Sequence, residues 1–83
     1  ELNRAKNYAR EAAEEINGGL SNYRAENLIY GHAAEAPYKD NGNGTLTFTF
    51  TGHKPGSSIP TAKSIVTVSK DSSRIAVEDN SLI

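Results

Sequence analysis

Residues Thr45-Leu46-Thr47-Phe48-Thr49-Phe50-Thr51 alternate strictly between threonine and a large apolar residue. Only an extended chain, whose successive side chains point to opposite faces, sorts such a run into one apolar and one polar side. A helix would spread Leu46, Phe48 and Phe50 around its circumference and leave part of the set in water. The run is therefore a strand of a sheet that needs cover on one face. Its threonine row, with high strand propensity, is the exposed face or a contact surface.

The N-terminal segment has the pattern to supply that cover. Leu2, Ala5, Ala9, Ala12, Ala13 and Ile16 recur at steps of three and four, with Arg4, Lys6, Arg10, Glu11, Glu14 and Glu15 read as the polar side. Almost every residue from Arg4 to Glu15 is a good helix former, and Asn17-Gly18-Gly19 provides the stop. A stripe made mostly of alanine lets the helix axis come close to its support. A helix of this length is marginal alone in water, so it must dock.

Two further strands follow from Ile65-Val66-Thr67-Val68-Ser69 and Arg74-Ile75-Ala76-Val77-Glu78, joined by the turn residues Lys70-Asp71-Ser72-Ser73. Tyr38-Lys39 can pair with the phenylalanine strand across the turn Asp40–Gly44. The segment Asn22–Tyr30 changes parity between Tyr23/Ala25 and Leu28/Tyr30, so a strand there needs a break near Asn27. The expected architecture is one α+β domain over residues 1–83, with a helix at about 2–17 and strands at about 22–30, 45–51, 64–70 and 74–79. The helix packs on an antiparallel meander of three or four strands, a layout similar to that of cystatin-like folds. Arg4–Arg10, Asn17–Glu26 and Pro37–Phe50 together resemble small proteins of cyanobacterial type to which no activity is assigned. The resemblance implies a source and no mechanism.

Charge and composition exclude more than they assign. Nine Lys+Arg against ten Asp+Glu give a net charge of -1, without the basic excess by which a nucleic-acid module usually announces itself. No apolar run approaches the ~18 residues of a membrane span. There is no cysteine, hence no disulfide and no thiolate chemistry. A start at Glu1 is expected of a processed chain or of a segment of a longer one.

The chemistry-bearing residues do not assemble into a motif. His32 and His53, with Glu35 or Asp40, are the candidate metal ligands, but they lack helical ligand spacing and read first as loop histidines. Asp40-Asn41-Gly42-Asn43-Gly44 puts glycine where a calcium loop needs oxygen side chains. Gly52–Ser58 contains Gly, Lys and Ser, yet Lys54 stands between the glycines rather than after them. No nucleophile elbow accompanies Ser57 and Ser58. The expectation is a chain without catalytic residues or cofactor.

What remains is a set of aromatic and basic residues in the first half: Tyr8, Arg10, Tyr23, Arg24, Tyr30 and Tyr38. Tyrosine with arginine is a composition favoured at protein interfaces, and tyrosines rimming a small core explain the same residues. The expected function is a non-catalytic protein-interaction or self-assembly module. Its partner is another protein or a second copy, reached through a sheet edge, either Leu46–Phe50 or Arg74–Glu78. The alternative is a small-ligand or metal-binding domain using the loop histidines.

Overall fold

The computed structural model describes residues 2–26, 38–57 and 59–83. It contains a helix α1 (Leu2–Ile16) and strands β1 (Arg24–Ala25), β2 (Tyr38–Asp40), β3 (Thr45–His53), β4 (Ala62–Ser69) and β5 (Ile75–Leu82). All pairings are antiparallel. β3, β4 and β5 form a meander, while β1 and β2 both pair with the other side of β3 at opposite ends. Among the described residues the sheet thus has five strands, more than the three or four expected, because two short segments share one flank of β3. No helix among the described residues is long and apolar enough to cross a membrane.

Rows across the sheet show how the alternation of β3 is used. Leu46 lies opposite Val68, Phe48 opposite Val66 and Phe50 opposite Ser64, so their side chains share one face. α1 covers it. Ala5, Ala9 and Ala13 are fully buried there with Phe48, Phe50, Val66 and Val68. Small side chains on the helix let it approach the phenylalanines closely, as the alanine stripe predicts. Lys6, placed on the polar side in the sequence, is instead 3% exposed. The spacing explains the correction: position 6 stands four after Leu2, three before Ala9 and seven before Ala13, on the same arc as the alanines. Among the described residues no helix covers the threonine face, and Thr47 and Thr67 meet there as a cross-strand hydroxyl pair at 3.1 Å.

The helix stop is a Schellman motif. Gly19 N–H donates to the Glu14 carbonyl at 2.7 Å and Gly18 N–H to that of Glu15 at 3.2 Å, with Gly18 at φ 95°. A side chain at Gly18 would be strained by that φ. The reversal delivers Tyr23 onto the end of the core. Tyr23 is 2% exposed and its ring lies over the backbone of Gly52, where a methyl group would overlap the ring and hydroxyl. Here glycine is required by close approach.

A polar lock ties the end of α1 to the sheet. The Asn17 and Asn80 amides bond reciprocally at 3.0 Å in both directions, and Asn17 Nδ2 also donates to the Ala13 carbonyl at 2.7 Å. Ser64, fully buried, donates its hydroxyl to Asn80 Oδ1 at 2.6 Å. Buried polar groups are tolerated when satisfied in this way.

Candidate interaction site

The described candidate tyrosines, Tyr8, Tyr23 and Tyr38, do not converge. Tyr8 is half-buried on α1, beside β5. Tyr38 lies on β2, on the opposite flank of the sheet, with its ring centroid 5.8 Å from that of Phe48. Tyr23 belongs to the core and is unavailable as a surface contact. The reason is the tight helix stop, which turns the chain back under the sheet end. Arg24 is exposed on β1, opposite His53, and Arg10 is engaged with Glu14 at 3.3 Å and Glu11 at 3.6 Å. Tyr30 lies outside the described residues, as do His32 and Glu35.

His53 Nδ1 is 2.9 Å from the Lys54 carbonyl oxygen. A carbonyl only accepts, so Nδ1–H is the donor in this contact. Among the described residues, no three His, Asp or Glu side chains are grouped as metal ligands. Asp40 stands far along β3 from His53, at the turn between β2 and β3. Its carboxylate is held below the usual range, first by the hydrogen bond from Lys70 at 2.9 Å and then by the Gly42 N–H at 3.0 Å. The bond from Lys70 N–H to the Gly44 carbonyl, 2.8 Å, joins the two hairpin ends. Asp71 is held down to about 2, chiefly by the Ser73 hydroxyl at 2.7 Å, then by the Ser73 N–H and the Ser69 hydroxyl. These acids organise turns.

The feature that stands out is β5. Among the described residues it pairs only with β4, and all its residues are exposed except the half-buried Asn80. Which of its backbone groups point outward follows from the two backbone hydrogen bonds that flank the β4–β5 ladder. Ser69 N–H donates to the Arg74 carbonyl, and Ile83 N–H to that of Thr61, each at 3.0 Å. Antiparallel ladders alternate hydrogen-bonded and non-bonded pairs, so Ile75, Val77, Asn80 and Leu82 turn their N–H and C=O groups away from β4. The register slips between Val66↔Val77 and Ile65↔Asp79, making Glu78 the extra residue of a bulge.

Alongside this edge runs an open groove of about 530 Å³, lined by Tyr8, Glu11, Ala12, Glu15 and Ile16 of α1 and by Ile75 and Val77 of β5. Its floor is apolar: Ile16, Ile75 and Val77 are 53%, 44% and 36% exposed. Of the two edge candidates legible in the sequence, Arg74–Glu78 is the one that no second strand flanks among the described residues. The other, Leu46–Phe50, lies inside the sheet, between β4 and the flanking pair β1 and β2. Ile16, Ile75 and Val77 were not singled out as site residues. In sequence they are indistinguishable from core positions, and the place of Ile75 and Val77 on the outermost described strand of the meander leaves them part-exposed.

No protein-family model, no curated protein and no solved structure matches this chain.

Proposed function

We propose that this chain is a non-catalytic protein-interaction module that takes up an extended partner segment along β5. The observation that carries the reading is the coincidence of an open strand edge with an apolar groove on the same side. Ile75 and Val77 offer outward N–H and C=O groups, while their side chains continue into the floor lined by Ala12 and Ile16. Strand addition draws affinity from main-chain hydrogen bonds and selectivity from alternate side chains, and this edge supplies a place for both. Natural proteins usually blunt such edges with charges and bulges. Here the bulge and the acids Glu78 and Asp79 fall in the middle of β5, leaving the Ile75–Val77 stretch regular.

The test is selection of displayed random peptides on the immobilised chain, with Val77→Pro as the counter-selection. The Val77 N–H points away from β4, so proline removes an outward donor without breaking the β4–β5 ladder. Enriched peptides should read as extended, alternating segments and should lose binding to Val77→Pro. Peptides that bind both proteins equally, or an absence of enrichment, would refute the reading.

A further inference from the structure

We infer that the segment β5 takes up is basic, with lysine or arginine at the alternate positions that face α1. The inference rests on β5 being the interaction edge and adds the chemistry of its occupant. Glu11 and Glu15 stand one turn apart on the rim of the groove, both exposed. Glu11 has only a loose partner, Arg10 at 3.6 Å, and Glu15 has no ion pair among the described residues. Glu78 and Asp79 add exposed acids on the strand itself.

The shape of the groove selects long basic side chains. A strand added to β5 places every second side chain on the helix side, beside Ile75 and Val77. From there a lysine or arginine lays its methylene stem along the floor of Ala12, Ile16 and Val77 and carries its charge out to the rim. A purely apolar side chain would cover the floor but bury the approach to two carboxylates without a partner. An acidic one would add like charge beside Glu11 and Glu15. Attraction of a cation to these solvent-screened carboxylates, against repulsion of an anion, separates the occupants by a salt-dependent difference in affinity.

The same charges argue against a second copy of the chain. Antiparallel self-pairing that matches the most outward groups sets Ile75 opposite Leu82 and Val77 opposite Asn80 of the other copy. That register gathers Glu78 and Asp79 of both copies at the two-fold. Like charges directly opposite destabilise a pair of strands. The two-fold also sets both helices on one face of the joined sheet, with Glu11 and Glu15 turned toward their counterparts.

The probes are two synthetic peptides that alternate threonine with lysine, or threonine with glutamate, titrated into the intact chain by calorimetry. Amide exchange at Ile75 and Val77 serves as the positional readout. The lysine peptide should bind, slow exchange at both amides, and lose at least about tenfold in affinity between ~0.05 and ~0.5 M salt. Glu11→Lys/Glu15→Lys should reverse the preference toward the glutamate peptide, and Val77→Pro should bind neither. The wild-type exchange data carry the positional test even if Val77→Pro does not fold. Equal binding of both peptides would overturn the basic preference and leave β5 as an edge for other segments. Lysine-peptide binding that leaves Ile75 and Val77 exchange unchanged would overturn both readings, as would a chain that binds neither peptide and stays monomeric in light scattering. A doubling of mass with protected Ile75 and Val77 and no uptake of the lysine peptide would replace the basic segment with a second copy.

Discussion

Replacing Gly52 by alanine tests how the end of the core is closed. Gly52 sits in β3 between Ala25 of β1 and Ala62 of β4, and the ring of Tyr23 occupies the space a methyl group would need. Two responses are open to the molecule. The ring stays and the strand shifts to relieve the overlap, at about 1–3 kcal/mol for overpacking. Otherwise the ring leaves its site. A tyrosine buries roughly 150–250 Å². At about 25 cal/mol per Å² its release forfeits about 4–6 kcal/mol before the hydroxyl regains water. The cheaper response sets the cost. Alanine returns about 0.5–1 kcal/mol of backbone entropy relative to glycine. The net loss should be about 1 kcal/mol, which lowers the melting temperature by roughly 4–8 °C in a domain of this size. Urea unfolding followed by circular dichroism measures it, and the decisive comparison is a double-mutant cycle. With Tyr23→Ala already in place, Gly52→Ala should become neutral or slightly stabilising. A wild-type background that tolerates Gly52→Ala, or an equal loss in both backgrounds, would refute the argument that ring and glycine exclude a side chain between them.

The Asn17–Asn80–Ser64 lock should show coupling of the same kind. Asn80→Ala strands the fully buried Ser64 hydroxyl and should cost about 2 kcal/mol, whereas adding it to Ser64→Ala should cost less, measured by urea unfolding of all four proteins. Among the described residues, Ser72 is the one non-glycine at positive φ, 62°, and its shielded hydroxyl has no hydrogen-bond partner there. Ser72→Gly should therefore raise stability by about 0.5–1 kcal/mol, read as an upward shift in melting temperature. Asp71 is depressed to about 2 in the fold against an ordinary 3.8. The folded form binds its proton less readily than the unfolded chain, so the stabilisation is fully present above about pH 4 and is lost as pH falls through about 2. Asp71→Asn should flatten the acid limb of the stability curve in that window, and an unchanged limb would show that the turn hydrogen bonds do not discriminate between protonation states.

The local rules in this sequence and the fold agree wherever the signal is local. The alternation of Thr45–Thr51 fixes the strand and its two faces because the side-chain period of an extended chain admits no other sorting of that pattern. Gly18-Gly19 fixes the helix end, since the Schellman bonds need a residue at ease with positive φ. The 69–74 turn and the pairing of Tyr38-Lys39 were legible for similar reasons, as each joins neighbours in sequence. Lys6 shows the limit of reading residue type before spacing: its charge suggested the polar side, and its position put it on the buried arc.

The candidate site lay beyond such rules. Tyr23 and Tyr8 have the same composition value in a sequence, yet one closes the core over Gly52 and the other borders a groove. Ile75 and Val77 alternate like buried strand residues, and their partial exposure depends on how β5 and α1 come to rest in the fold. That placement is set by the alanine arc, the Asn17–Asn80 bond and the position of β5 at the end of the meander, three features far apart along the chain. Local periodicity decides which side of an element is apolar, because it acts within one turn or one pleat. Which apolar residues are finally covered, and which edge stays open beside Glu11 and Glu15, is decided by the docking of whole elements, and only the tertiary structure carries it.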